Sequence, residues 1–356
     1  MSNKYYAVVG MMSGTSLDGI DLIMCKFQKS HHKWKYQIVK AVTYGYTMEW
    51  KNKLNEAAGL DAGSFLLLHQ EYGSFIGEQV NRFLSEGGLN ADLVASHGHT
   101  IFHQPDKGFT FQLGSGAALA SKCKMDTVWD FRTMDVALGG QGAPLVPLGD
   151  ELLFGRYKFC LNLGGFANIS NRKNNSRIAF DICPVNIVAN HLALRRGLEY
   201  DRDGMMGSRG KLVPELIEEL NNLGFYKKPA PKSLGREWVE TTFLPVLEKY
   251  ELSAEDLLRN VYEHIAIQIS SYMNESDVGE VLVTGGGAFN TYLMDLIQKR
   301  TTCPLVIPEE QLVKFKEALI FAFLGLLRYR NEINCLASVT GASNDSSSGI
   351  VSIFKK

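Results

Sequence analysis

The 356-residue sequence has almost no net charge: 37 Lys and Arg residues stand against 38 Asp and Glu, a formal charge of -1 with His neutral. No run of Lys or Arg is longer than a pair. A protein that binds nucleic acid normally has a basic face, so the sequence argues against that class. With 45% hydrophobic and 21% charged residues, the composition is that of an ordinary globular protein.

Cysteine is sparse and unclustered. The six cysteines include no C-x-x-C pair, which argues against a zinc site or a disulfide framework, and we expect them to be buried as small apolar side chains. No apolar run reaches the roughly 18 residues that a membrane span requires, and the first residues lack the apolar core of a signal peptide. Together these absences predict a cytoplasmic protein.

The length predicts two domains, and the pattern of elements predicts that they share one α/β architecture. In each half, three strands in a meander precede alternating helices and strands. We therefore predict two lobes with a ligand cleft between them, residues 1–127 and residues 128–356, the second with a helical insertion around 200–275. The Pro- and Lys-containing segment Leu223–Arg236 is predicted to be an exposed connection.

Three glycine-rich turns follow predicted strands. The first, Gly10–Asp21, offers backbone and hydroxyl donors together with two carboxylates, a combination that suits a Mg²⁺-nucleotide. It is not a Walker loop, because no Gly-Lys-Ser/Thr follows, and an ordinary hairpin turn is the alternative. The others are Leu161–Ser170 and Val281–Asn290. Together the three predict a phosphate-bearing ligand, while the opening meander argues against a dinucleotide-binding unit.

Asp181 ends a largely apolar predicted strand directly before a turn that Pro184 imposes. A carboxylate in that position is suited to act as a general base. The alternative is an N-cap for the following helix, a role for which Asn186 is better placed.

Two further segments combine polar groups. Asp130–Pro144 contains carboxylates, three glycines and Arg132, which can pair with a substrate carboxylate; an inter-domain hinge is the alternative. Ser96–Pro105 holds three histidines. Substrate contacts or structural hydrogen bonds are favoured for these histidines over a zinc site, because no third ligand is evident. The acidic glycine loop Tyr200–Gly210 carries no prediction of its own.

Taken together, these segments resemble the anhydro-N-acetylmuramic acid kinases over nearly the whole chain. The segments that carry the resemblance are Met12–Asp21, Ser96–Thr100, Asp130–Arg132, Gly139–Pro147, Leu161–Asn168, Phe180–Asp181, Tyr200–Gly204, Pro231–Glu237, Thr284–Ala288, Glu317–Phe323 and Val339–Ala342.

The resemblance implies two ribonuclease-H-like lobes of the sugar-kinase, Hsp70 and actin type. It further implies a cytoplasmic, homodimeric enzyme of peptidoglycan recycling. Such an enzyme uses ATP, Mg²⁺ and water to open the 1,6-anhydro ring of anhydro-N-acetylmuramic acid and to phosphorylate O6.

The resemblance also implies roles for individual residues. Asp181 matches the catalytic base. The residues implied to bind ATP are Gly14, Thr15, Ser16, Leu17, Asp18, Gly19, Ile20, Asp21, Gly164, Gly165, Gly285, Gly286 and Gly287. The residues implied to bind the sugar are His97, Asp130, Arg132, Gly139, Gly140, Gln141 and Glu317. No metal-ligating residue is assigned.

The chain departs from the family pattern in three places. Where the family usually has Asp-Thr-Gly-Pro-Gly-Asn, this chain has Ile182, Cys183 and Val185 in place of the threonine and the two glycines. His99 replaces a glutamine, and Ser115 replaces a residue with a carboxylate. These departures leave two alternatives open: a kinase of a related amino sugar or anhydrosugar, and a non-catalytic nucleotide-gated binding protein. Loss of the carboxylate at Ser115 is the only support for the second.

Overall fold

A computed structural model describes residues 5–14, 17–31, 33–174, 176–230 and 232–355. Its strands are β1 Tyr6–Ser13, β2 Gly19–Ser30, β3 Lys33–Gly45, β4 Leu93–Gln104, β5 Phe109–Leu113, β6 Thr127–Trp129, β7 Phe159–Leu163, β8 Phe166–Lys173, β9 Ser176–Pro184, β10 Val281–Thr284, β11 Leu305–Val306 and β12 Ile350–Ser352.

The α-helices are α1 Met48–Glu56, α2 Ala62–Gly87, α3 Gly116–Cys123, α4 Thr133–Ala137, α5 Val146–Leu153, α6 Asn186–Leu194, α7 Met205–Arg209, α8 Pro214–Asn221, α9 Arg236–Trp238, α10 Leu244–Glu248, α11 Ala254–Asn274, α12 Thr291–Gln298, α13 Glu310–Tyr329 and α14 Ala337–Thr340. Short 3₁₀ turns include Gly224–Lys227 and Gly286–Phe289.

The chain forms two compact units. The first comprises the chain up to Leu153 and the segment from Phe315 onward, and the second is Phe154–Lys314. This division differs from the predicted boundary after residue 127. The reason is that β6 pairs with β4 and β12 pairs with β6, so the C-terminal segment joins the sheet of the first unit.

The sheets of the two units have the same core topology. In the first unit the order is β3-β2-β1-β4-β6-β12, with β5 beside β4. In the second it is β9-β8-β7-β10-β11. Each unit opens with an antiparallel three-stranded meander whose first strand then pairs in parallel with the fourth strand of that core, β4 or β10. The predicted α/β class with two ribonuclease-H-like units is confirmed.

The core of the second unit forms where helices cover its sheet. Along α11, Leu257, Val261, Ile265 and Ile269 recur every fourth residue and are almost fully buried, as expected for a helix that packs one apolar face onto a sheet. Within the described ranges, no helix is long and apolar enough to cross a membrane.

Helix α13 packs closely on the sheet of the first unit at Gly10. A Cβ atom at this position would lie 2.2 Å from the Ala318 carbonyl oxygen and 2.7 Å from Ala322 Cβ. Gly10 was predicted to help the first glycine turn approach a ligand, and the structure corrects this: the residue lies inside β1, beneath α13. A side chain there would force helix and sheet apart.

We therefore expect Gly10→Ala to lower the free energy of unfolding by about 1–3 kcal/mol through overpacking. Gly59→Ala is the control, since a Cβ there meets no atom within 4 Å. Denaturant titration of both variants measures the effect, and equal stability of the two would contradict the packing role of Gly10.

Candidate active site

In the first unit, parallel pairing brings three predicted site segments to one edge of the sheet. Ser13 at the end of β1 pairs with His99, and Ser96 on β4 pairs with Trp129 at the end of β6. The glycine loop after Ser13, the histidines of β4 and Asp130 after β6 therefore lie at the edge where parallel strands of α/β proteins present their ligands.

The first glycine turn is shorter than predicted. Thr15 and Ser16 lie outside the described residues, and Leu17 has a positive φ of 56°. Gly19 and Ile20 belong to β2, with the Ile20 side chain in the core. The turn that can bind a ligand thus lies between Ser13 and Gly19.

Asp21 follows this turn and retains an unused carboxylate oxygen. Thr43 Oγ1 donates to Asp21 Oδ1 at 2.5 Å, and no protein donor to Oδ2 is found in the described part of the chain. Burial raises the pKa of Asp21 above its usual value, the bond from Thr43 opposes this, and nearby Asp18 adds to it. A cation near this carboxylate would relieve the electrostatic strain.

Arg132 is held at two points and retains free donors. Its Nε donates to His97 Nε2 at 3.0 Å, and its Nη1 donates to the Gly142 carbonyl at 2.6 Å. Because His97 Nε2 accepts, Nδ1 carries the proton and donates to the Gly98 carbonyl at 3.0 Å. Burial lowers the pKa of His97, which keeps the ring neutral. Nη2 has no acceptor among the described residues and can bind an anionic ligand.

Glu317, on α13, lies in the electrostatic field of Arg132 and Asp21. Water reaches its side chain, but the surrounding protein reduces its hydration and raises its pKa; Arg132 opposes the shift and Asp21 adds to it. Close packing of α13 at Gly10 thus brings a carboxylate near the guanidinium that the edge of the sheet presents.

Asp130 has a structural role that the sequence did not predict. Its φ is 55°, and its Oδ1 accepts hydrogen bonds from the N–H and Oγ1 of Thr133, at 3.3 and 2.6 Å. It therefore stabilises the start of α4, and only Oδ2 remains for a ligand.

The Gly139–Gln141 turn depends on a buried carboxylate, Asp135, that was not predicted as a site residue. Asp135 is fully buried; its Oδ2 accepts from the Gly142 N–H at 2.7 Å, and its Oδ1 accepts from Thr340 Oγ1 at 2.7 Å and Cys335 Sγ at 3.0 Å.

The turn residues themselves differ in their surroundings. A Cβ on Gly140 would lie 2.3 Å from Asp135 Oδ2, whereas Gly139 meets no atom within 4 Å and has a φ of 83°. Gln141 donates its N–H to the Thr340 carbonyl, and its side chain is exposed. Gly139 and Gln141 are thus open to a ligand, and Gly140 serves packing.

In the second unit, parallel pairing of β7 and β10 joins the second and third glycine turns. A Cβ on Gly285 would lie 2.7 Å from Asn162 Oδ1 and 2.8 Å from the Leu163 backbone. The N–H groups of Gly165, Gly286 and Gly287 have no acceptor among the described residues. Adjacent free N–H groups at the carboxyl ends of parallel strands suit phosphate oxygens.

The predicted N-cap of α6 is wrong in detail. The N-cap residue is Val185, and the Asn186 side chain instead donates to the Leu163 carbonyl at 3.2 Å. Carbonyl groups of the second glycine turn satisfy the first helical N–H groups: Gly165 accepts from Val185 and Ile187, and Gly164 from Asn186. The turn and the helix therefore form one rigid element.

Asp181 lies at a β-bulge. Asn168 pairs with Asp181, whereas Ala167 pairs with Cys183, so Ile182 is an extra residue on β9. Bulges of this kind redirect the neighbouring side chains.

Two groups from the segment Leu223–Arg236 hold Asp181. The Leu234 N–H donates to Asp181 Oδ2 at 2.9 Å, and the Asp181 N–H donates to the Lys232 carbonyl at 2.9 Å. Burial raises the pKa of Asp181, and the bond from Leu234 opposes this in part. The segment predicted as an exposed connection thus orients the candidate base and is not only a linker.

Comparisons with known proteins identify the family. The family model described as anhydro-N-acetylmuramic acid kinase matches residues 6–355. The chain belongs to this family. The anhydro-N-acetylmuramic acid kinase of Bacillus cereus (strain G9842) is 31% identical over 94% of this chain and 96% of its own. The enzyme of that name from Francisella tularensis subsp. novicida (strain U112) is 30% identical over 99% and 100%.

Likeness to solved structures is weaker. The (R)-2-hydroxyglutaryl-CoA dehydratase component A of Acidaminococcus fermentans superposes with a TM-score of 0.46 at 12% identity, over 90% of this chain and 97% of its own. A glucokinase from Streptomyces griseus gives 0.40 at 11% identity, over 90% and 99%. We draw no conclusion from similarity at this level.

The structure accounts for one departure from the pattern of the anhydro-N-acetylmuramic acid kinases. Ser115 is the N-cap of α3, and its Oγ accepts from the Ala118 N–H at 3.3 Å. A serine is among the preferred residues at that position. Cys183, beside the bulge, is fully buried, and burial raises the pKa of its thiol.

We expect Asp135→Asn to lower the free energy of unfolding by about 1–3 kcal/mol. The amide replaces an acceptor by a donor, so at least one of three buried donors loses its partner. The exposed variant Asp106→Asn is the control. Thermal and denaturant unfolding measure the difference, and wild-type stability of Asp135→Asn would contradict the role of Asp135 in this turn.

Proposed function

We propose that the protein is an ATP-dependent kinase that hydrolytically opens the 1,6-anhydro ring of anhydro-N-acetylmuramic acid and phosphorylates O6. Water adds to C1 as the C1–O6 bond breaks. O6 then forms a bond to the γ-phosphorus as the bond to ADP breaks. N-acetylmuramic acid 6-phosphate and ADP result. The observation that carries the proposal is the family match over residues 6–355.

We assign the general base to Asp181. Its carboxylate stands at a bulge where Leu234 and Lys232 hold it, and its raised pKa strengthens it as a base. In the proposed step it removes the proton from the attacking water. The other side chains then need only position the sugar and neutralise charge, since phosphoryl transfer depends mainly on these two effects.

We assign the remaining predicted residues to the two substrates. Free N–H groups in the second and third glycine turns support phosphate binding by Gly165, Gly286 and Gly287. Residues Gly14–Asp21, Gly164 and Gly285 complete the proposed nucleotide set. For the sugar we propose His97, Asp130, Arg132, Gly139, Gln141 and Glu317, while Gly140 packs on Asp135. The free Nη2 of Arg132 supports its pairing with the lactyl carboxylate.

Mg²⁺ belongs to the proposal as well. The described residues contain no cluster of three side chains that would hold a metal by themselves. Mg²⁺ usually takes one or two carboxylates and completes its coordination with water and phosphate. Asp18 and Asp21 fit that need, since Asp21 retains an unused oxygen. When bound, the ion would neutralise charge on the β- and γ-phosphates.

Two other attributes stay predictions from composition: a cytoplasmic protein and the lack of a nucleic-acid partner. A role in peptidoglycan recycling and a homodimer are proposed from the family alone. A kinase of a related anhydrosugar stays as the second candidate, because Ile182, Cys183 and Val185 replace smaller or hydroxylated residues beside the base. The family match favours a kinase over the non-catalytic alternative.

A coupled assay tests the proposal. Purified protein with ATP, Mg²⁺ and anhydro-N-acetylmuramic acid should release ADP and yield a product heavier than the substrate by one HPO₃ and one H₂O. A panel of amino sugars and anhydrosugars separates the second candidate. Folded protein that binds ATP but turns over none of these sugars would contradict a kinase function.

Asp181→Asn should lower kcat at least about 100-fold, because the amide cannot accept the proton. Asp277→Asn, at a side chain that is 97% exposed, is the control and should match the wild type. Retention of full activity by Asp181→Asn would refute the assignment of the base.

The pH profile gives an independent test. Because the base must be ionised, kcat/KM for the sugar should rise with pH through the pKa of Asp181, which burial places above the ordinary 3.8. Burial lowers the pKa values of His97 and of His99, the latter to about 4. Neither histidine should therefore produce an inflection of the kcat/KM profile near pH 6.5. A kcat/KM that does not fall as the pH is lowered would contradict a carboxylate base.

A further inference from the structure

The segment that contains α14 packs against the turn that holds Arg132. The Gln141 N–H donates to the Thr340 carbonyl at 2.9 Å, and the Ser343 N–H donates to the Leu138 carbonyl at 3.0 Å. The turn and this segment, both in the first unit, are therefore joined by two backbone hydrogen bonds that run in opposite directions.

The Thr340 side chain adds a third contact, to the buried carboxylate of Asp135. Its Oγ1 donates to Asp135 Oδ1 at 2.7 Å, while the Leu336 carbonyl is farther away, at 3.3 Å. The same oxygen accepts from the Ala342 N–H at 3.4 Å. Thr340 is 2% exposed, so water does not compete for the bond to Asp135.

Cys335 is the other side chain that donates to Asp135 Oδ1, at 3.0 Å. Its sulfur also lies beside the Thr340 and Ser346 hydroxyls, and burial raises the pKa of the thiol, which keeps it neutral. A thiol is a weak hydrogen-bond donor. The hydroxyl of Thr340 therefore supplies the stronger of the two bonds to Oδ1.

Asp135 connects Thr340 to Arg132. The other carboxylate oxygen, Oδ2, accepts from the Gly142 N–H at 2.7 Å, and the Gly142 carbonyl accepts from Arg132 Nη1 at 2.6 Å. A continuous path of hydrogen bonds thus runs from Thr340 through Asp135 and Gly142 to the guanidinium. Of the two contacts that hold Arg132, the one from His97 is independent of this path, and the one to Gly142 depends on it.

We propose that Thr340 is a positioning residue that fixes Arg132 for the carboxylate of the sugar, and that it thereby favours sugars that carry a carboxylate. The inference rests on the proposed function only in taking anhydro-N-acetylmuramic acid as the ligand. A guanidinium binds a carboxylate best through two parallel N–H···O bonds, so its plane must be held at a defined angle. Loss of the Thr340 hydroxyl removes the main support of Asp135 Oδ1 and leaves that plane less well fixed.

The test compares two sugars by titration calorimetry: anhydro-N-acetylmuramic acid and 1,6-anhydro-N-acetylglucosamine, which lacks the lactyl carboxylate. Thr340→Val preserves the shape of the side chain and removes the hydroxyl. It should weaken binding of the first sugar about tenfold and of the second less than about twofold. Thr340→Ser keeps the hydroxyl and should stay within about twofold of the wild type for both. The matched control, Thr302→Val at an exposed threonine, should change neither affinity.

A second series shows whether the effect passes through Arg132. Arg132→Ala should abolish the preference for the carboxylate-bearing sugar. In that background Thr340→Val should not change the affinity ratio further, as expected for groups that act along one path. A purely structural role of Thr340 would instead weaken both sugars alike. Unfolding temperatures identify variants that do not fold, and Thr340→Ala removes the same hydroxyl as a second variant.

An unchanged affinity ratio in folded Thr340→Val or Thr340→Ala would overturn the inference. So would a wild-type protein that does not prefer the carboxylate-bearing sugar, or a Thr340→Val effect that persists in the Arg132→Ala background. Sugar binding is measured without ATP, so this result is separate from the kinase assay. A wild-type protein that prefers the first sugar without turning it over would contradict the proposed function and leave the inference standing.

Discussion

Parallel strand pairing is the constraint on which the candidate site depends. In the first unit it places the ends of β1 and β6 beside Ser96–His99 of β4. A glycine turn, two histidines and Arg132 are therefore brought together from segments far apart in the chain. In the second unit the pairing of β7 with β10 does the same for two glycine turns. Antiparallel hairpins alone would send successive turns to opposite ends of the sheet.

Buried hydrogen bonds then orient the side chains and turns that strand pairing brings together. His97 and Gly142 hold Arg132, Asp135 holds the adjacent turn, and Leu234 with Lys232 holds Asp181. A functional group held by two fixed contacts loses little further freedom when it binds a ligand, which favours both affinity and catalysis.

Much of the fold followed from the sequence, because strand and helix periodicities are local. The three-stranded meander predicted at the start of each half is found in both units. The bulge at Ile182 could not be predicted, because it depends on the register of β9 against β8. Asp135 was missed because two of its partners lie 200 and 205 residues away. The prediction that Asn186 is an N-cap was wrong for a related reason. Its side chain donates to the carbonyl of Leu163, 23 residues earlier in the chain.

In the proposed reaction, water adds to C1 of the sugar while O6 receives the phosphate. Turnover in ¹⁸O-labelled water, quenched before the anomeric oxygen exchanges with solvent, tests this directly. We expect one ¹⁸O atom on C1 of the sugar phosphate and none in the phosphate group. Label in the phosphate, or an unlabelled C1, would contradict the claim.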